Sequence, residues 1–159
     1  MTALKEGEAA PTINLPTDGN GTFNLADYKG RKVLVYFYPK DDTSGCTAES
    51  CSFSENIKSF EKLGVDIVGI SKCSVKKHDK FKAKYDLQFP LASDEESDVC
   101  ERYGVWVQKS MYGRKYMGIE RTTFLIDEAG KIEKIWPKVK VDGHTDEVMA
   151  HLNGQKKSA

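Results

Sequence analysis

Val33-Leu34-Val35-Tyr36-Phe37-Tyr38-Pro39-Lys40-Asp41-Asp42-Thr43-Ser44-Gly45-Cys46 joins an apolar run to a polar loop and a cysteine. Residues 33–38 are continuously apolar and rich in β-branched and aromatic types, the pattern of a strand covered on both faces. Pro39 ends that strand, since it has no N–H to add to a ladder. Downstream, Phe53, Ile57 and Phe60 fall at i, i+4 and i+7, Leu63 lies close to the same stripe, and Gly64 is placed to end it. This spacing predicts a helix from about Cys46 to about Leu63. The unit is therefore strand, tight loop, helix, with a cysteine in the first helical turn.

Working outward, Val65 to Ser71 reads as a second strand, 74–85 as a second helix and Glu95 to Tyr103 as a short third. Thr122 to Asp127 and Lys131 to Trp136 flank the turn Glu128-Ala129-Gly130, and a last helix spans about His144 to Leu152. Thr12 to Leu15 and Thr22 to Leu25 flank the turn-forming run Pro16 to Gly21, a peripheral N-terminal hairpin. The order β-α-β-α-(β)-α-β-β-α predicts an α/β fold: a central mixed sheet flanked by helices, with the 122–136 hairpin supplying antiparallel strands. A thioredoxin-like sandwich fits this order. With 159 residues and no linker or repeat, the chain reads as one domain, 1–159, ending in a loose polar tail at 154–159.

Lys plus Arg and Asp plus Glu both number 24, so nothing in the charge favours nucleic acid or an anionic membrane. The basic run Lys76 to Lys84 contains Asp79, with Phe81 and Tyr85 at helical spacing, and reads as one solvated helix face. No stretch approaches the length of a transmembrane helix and no leader pattern opens the chain, so cytoplasmic residence is expected. The cysteines at 46, 51, 73 and 100 are too few for a disulfide framework, and no C-x-x-C pair is present. His78, His144 and His151 lie far from them in sequence, without zinc-site spacing. Trp106 and Trp136 read as packing anchors, and Met111 and Tyr112, in a Gly-rich basic loop, as the rim of a site open to a docking partner.

A cysteine in a first helical turn faces unpaired N–H groups and the positive end of the helix dipole, which favour the thiolate. Placement alone leaves Cys46 equally readable as a buried small hydrophobe. The motif Pro39-x-x-x-Thr43-x-x-Cys46 resembles the active-site signature of the peroxiredoxins. Gly45-Cys46-Thr47-x-Glu49-x-Cys51, Ser93-Asp94-Glu95, Tyr103-Gly104-Val105-Trp106 and the 117–127 segment, in family order over nearly the whole chain, resemble the Q-type branch, also called bacterioferritin-comigratory protein. The resemblance implies hydroperoxide reduction through a sulfenic acid, without metal or other cofactor, with thioredoxin as reductant and a monomeric enzyme. It makes Cys46 the peroxidatic nucleophile, Thr43 the hydroxyl bonded to the reacting oxygen, Pro39 a shield against water, and Arg121 the cation beside the thiol. By residue type alone, Thr43 also reads as a helix N-cap, Pro39 as a strand terminator and Arg121 as a surface group. Glu49 reads as a first-turn helix feature. Ser44 departs from a common second proline, which predicts a softer loop rather than different chemistry.

A sulfenic acid must condense with a thiol before further oxidation. Cys51 matches the resolving position of many Q-type members. Five residues along an ideal helix separate Cα atoms by roughly 8 to 9 Å, whereas a disulfide needs under about 7 Å, so a Cys46–Cys51 bond requires local unwinding. Cys73 and Cys100 compete as resolvers, and a one-cysteine cycle with an external thiol stays open. Two other readings sit on the same fold: a thiol–disulfide oxidoreductase, disfavoured by the missing C-x-x-C, and a non-enzymatic peroxide sensor or holdase, distinguished by stoichiometric rather than catalytic oxidation.

Overall fold

In the computed structural model, which describes residues 2–157 and the side chains of 2–154, strand β3 (Lys32–Phe37) sits at the centre of a five-stranded sheet. It pairs in parallel with β4 (Val65–Ser71), which pairs in parallel with β5 (Leu91–Ser93), and antiparallel with β8 (Thr122–Ile126), which is followed by β9 (Ile132–Trp136). The sheet order is β5-β4-β3-β8-β9, the mixed sheet expected. Alternation along the central strand divides the interior into two cores. Val33, Val35 and Phe37 join Val68, Ile70, Phe124 and Tyr103 on one face; Leu34, Tyr36 and Tyr38 join Phe53, Phe60, Phe81 and Leu125 on the other. The first face is covered by the N-terminal hairpin of β1 (Asn14–Pro16) and β2 (Thr22–Asn24) and by the short α4 (Val99–Arg102). The second is covered by α1 (Ser44–Glu55), α2 (Ile57–Lys62), α3 (Val75–Tyr85) and α5 (His144–Lys157). Among the described residues no helix is long and apolar enough to cross a membrane.

Several boundaries differ from expectation, each for a local reason. The helix expected over 46–63 is two helices, because Asn56 leaves helical geometry (φ −101°, ψ 12°) and its side-chain amide donates to the Ser52 carbonyl at 2.8 Å. The helix expected over 95–103 shrinks to α4, whose first N–H groups, of Val99 and Cys100, are taken by the buried Asp94 carboxylate at 3.1 and 2.7 Å. The tail expected at 154–159 is helical to Lys157; Ser158 and Ala159 lie outside the described residues. The basic loop after Trp106 is a hairpin, β6 (Trp106–Met111) with β7 (Arg114–Ile119). Its two-residue turn, Tyr112-Gly113, has φ of +52° and +78°, the two positive values of the turn that matches strand twist.

Candidate active site

The site forms where β3 runs out. Beyond Phe37, residues 38–43 carry the chain from the sheet to the start of α1. Thr43 is the N-cap residue, with extended φ/ψ, but its hydroxyl does not cap the helix; it donates to the Lys40 carbonyl at 3.0 Å and so folds the loop on itself. Cys46, two residues into α1, is 1 % exposed. Its sulfur therefore sits at the positive end of a helix that packs its Phe53 into the core beneath.

Arg121 arrives from the other side. The β3/β8 ladder pairs Phe37 with Thr122, so the next position outward on β8 lies beyond the end of β3, beside the cysteine loop. The guanidinium donates from Nη2 to the Cys46 sulfur at 3.2 Å and from Nη1 to Glu49 Oε1 at 2.7 Å. Residues 75 positions apart in sequence are thus joined by one hydrogen bond. Gly45 makes room for this approach: a Cβ there would stand 3.3 Å from Arg121 Nη2.

Glu49, read from sequence as a helix feature, is instead 2 % exposed, and its Oε2 has no hydrogen-bond partner. Burial pushes its carboxyl up to about 7 against the pull of Arg121. Burial alone depresses the Arg121 pKa, yet the charges of Glu49 and Cys46 leave it raised, so this cation is permanent. Lys109 of β6 adds a second positive group facing the site, its pKa lowered by burial and then by Arg121. Glu49 stands in the quoted motif, but its burial and its pairing with Arg121 are visible only in three dimensions, and nothing in the spacing marks Lys109.

Pro39 and Thr43 line an open cleft of about 710 Å³, whose far wall is the β6–β7 hairpin with Trp106, Met111 and Met117. Met111 rims this cleft as expected, while Tyr112 stands 98 % exposed at the hairpin tip. The other thiols are dispersed. Cys51 lies on the same unbroken helix as Cys46 and opens to a separate cleft beside Tyr85 and Gln88; burial, then Glu55, raises its pKa. Cys73 borders the cleft lined by Pro39 and Thr43 and accepts from the Asp41 amide at 3.3 Å. Cys100 is fully buried in the opposite core, where desolvation and then Asp94 hold its thiol protonated. All four cysteines are free.

The arrangement can attack an O–O bond: a sulfur at a helix N-terminus, a forked cation donating to that sulfur, and a neighbouring cleft lined by Pro39 and Thr43. Residues 7–135 match the AhpC/TSA family. The chain is 55 % identical over 150 residues to a putative peroxiredoxin Bcp of Coxiella burnetii, covering 94 % of this chain and 99 % of that one. It is 47 % identical over 149 residues to peroxiredoxin Bcp of Bacillus subtilis, covering 94 % and 95 %. Among solved structures, peroxiredoxin Q of Xanthomonas campestris superposes with a TM-score of 0.87 at 40 % identity over 96 % of this chain and 97 % of that one. A cysteine-to-serine mutant of Xylella fastidiosa PrxQ gives 0.92 at 35 % identity over 98 % and 99 %. One Xanthomonas campestris structure concerns the alkyl peroxide reduction activity of its bacterioferritin comigratory protein. On this sequence and fold likeness the chain belongs to the AhpC/TSA family and, within it, to the Bcp or Q-type peroxiredoxins, which are thiol peroxidases.

Proposed function

We propose that Cys46 carries the peroxidase chemistry on hydrogen peroxide and alkyl hydroperoxides, and that Cys51 and thioredoxin complete the cycle. The carrying observation is the 3.2 Å contact of Arg121 with the Cys46 sulfur at a helix N-terminus. The Cys46 thiolate attacks the terminal oxygen; the S–O bond forms as the O–O bond breaks, and the departing alkoxide takes a proton and leaves as alcohol or water. Arg121 and the Cys46 N–H stabilise the charge that grows on the peroxide oxygens, Thr43 orients them, and Pro39 keeps bulk water from the sulfur. Cys46 is left as sulfenic acid.

Cys51 then attacks the Cys46 sulfur and expels the oxygen as water, forming a disulfide that a thioredoxin dithiol reduces by exchange. A monomer in the cytoplasm belongs to the same reading: among the described residues the exposed large apolar side chains are Met111, Tyr112, Tyr116 and Met117, all on one hairpin. The test is peroxide-dependent NADPH oxidation coupled through thioredoxin and its reductase, with wild type against Cys46→Ser. Turnover confined to wild type supports the assignment; equal turnover in the variant moves the nucleophile elsewhere. A wild type that oxidises Cys46 once and stops excludes thioredoxin as its reductant.

A further inference from the structure

Beneath the loop that carries Pro39 and Thr43 lies a chain of buried polar groups with no part in the chemistry so far described. Asp41, its side chain 4 % exposed, accepts on Oδ1 from the Tyr38 hydroxyl at 2.6 Å, and its Oδ2 lies 2.6 Å from Nδ1 of His78, a fully buried residue of α3. Nε2 of the same ring lies 3.1 Å from the Ala92 carbonyl. A carbonyl only accepts, so Nε2 carries a hydrogen, and one further proton is shared between Nδ1 and Oδ2. Every polar atom of the Asp41 and His78 side chains is thereby occupied, and the loop is tied at once to the end of β3, to α3 and to β5. Three more contacts fasten the same loop. The Asp41 amide donates to the Cys73 sulfur, and Lys84 Nζ and the Tyr85 hydroxyl reach the Asp42 carboxylate at 2.9 and 2.7 Å. Asp42 needs fastening, because its φ of +60° is unfavourable for a residue with a Cβ.

We propose that Asp41 and His78 are positioning residues for the peroxide step, fixing the 39–43 loop from α3 so that Thr43 stands in register with the Cys46 sulfur. This rests on the reading of Cys46 as nucleophile and adds to it a second support: Arg121 holds the sulfur from β8, while the Tyr38–Asp41–His78 chain holds the oxygen-orienting loop from the other side. Asp41 and His78 are hydrogen-bonded to one another, His78 is fully buried beside the Tyr38 ring and only 4 % of the Asp41 side chain is exposed, so little water competes for these bonds and they hold the loop in place.

The test compares the second-order rate constants of Cys46 with hydrogen peroxide and with iodoacetamide. Alkylation needs the thiolate but not the oxygen-orienting loop. Asp41→Ala is expected to slow the peroxide reaction by about tenfold or more, since small misplacements of reacting groups weigh heavily on rate, while alkylation changes less than about twofold. Asp41→Asn restores the peroxide rate to within about threefold of wild type, because Asn Oδ1 accepts from Tyr38 and Nδ2 donates to neutral His78. Tyr38→Phe, which keeps the ring in the core, slows the peroxide reaction alone and serves if the alanine variant does not fold. An unchanged peroxide rate in Asp41→Ala or Tyr38→Phe, or an equal fall in both reactions, overturns the proposal. Failure of wild type to consume peroxide at Cys46 overturns the reading beneath it instead.

Discussion

The guanidinium of Arg121 spans Cys46 and Glu49, with 3.2 Å to the sulfur and 2.7 Å to the carboxylate oxygen, and it does so from the first position outside β8. One planar group satisfies two sites three residues apart on α1, which an ammonium on a flexible stem cannot reproduce with the same geometry. Arg121→Gln is expected to lower the rate constant of Cys46 with peroxide by about 10²-fold, the usual consequence of losing a donor aimed at developing charge. Arg121→Lys should recover only part of that loss. Stopped-flow tryptophan fluorescence or competition against a reference peroxidase measures both; a lysine variant as fast as wild type would show that charge alone suffices.

Gly45 sets up an opposition between stability and rate. Alanine favours a helical turn over glycine by up to about 1 kcal/mol, but its Cβ would press on Arg121 Nη2 from 3.3 Å. Gly45→Ala should therefore unfold at slightly higher denaturant concentration while reacting about tenfold more slowly with peroxide. A variant faster or unchanged in rate would mean that the guanidinium yields without losing the sulfur.

Glu49 gives stability a pH dependence of definite sign. Its carboxyl ionises near 4.5 when unfolded and at about 7 when folded. Below 4.5 both states hold the proton; from there up to about 7 only the folded state retains it, so stability is progressively lost across that window. A shift of this size corresponds to on the order of 3 kcal/mol. Urea unfolding at several pH values between 4.5 and about 8 should show wild type losing that amount relative to Glu49→Gln, and a parallel course for the two proteins would exclude it.

The proposed Cys46–Cys51 disulfide would demand motion. Both residues lie inside α1, at a separation of roughly 8 to 9 Å between Cα atoms on an ideal helix. Oxidation by one equivalent of peroxide should therefore lower helical circular dichroism and hydrogen-exchange protection over 44–51, and Cys51→Ser should abolish both changes along with the internal disulfide. An internal disulfide that persists in Cys51→Ser would transfer resolution to Cys73, the thiol that lines the cleft with Pro39 and Thr43.

The sheet was readable from sequence because the 33–38 run is apolar on both faces, and both faces are in fact covered by separate cores. Cys46, Thr43, Pro39 and Arg121 were expected from a motif and a family likeness; the structure brings Cys46 and Arg121 into contact and puts Thr43 and Pro39 in the lining of a cleft. The burial of Glu49 and His78 was not, because each is a polar residue within a polar helical stretch and only tertiary packing tells a buried one from a solvated one. The β6–β7 hairpin was missed for the converse reason. Residues 111–117 are exposed, so no apolar alternation marks them, and the Tyr112-Gly113 turn is their sole local signal.

The Phe37–Thr122 pairing also bears on how freely the rest of the chain can be remodelled. Because the ladder between β3 and β8 sets where the cation meets the sulfur, the tip of the β6–β7 hairpin in the intervening chain can change in length without moving either group. Its most outlying point, Tyr112-Gly113, is a position for splicing in a reporter peptide or an affinity handle, leaving the spacing of the reactive groups as it is.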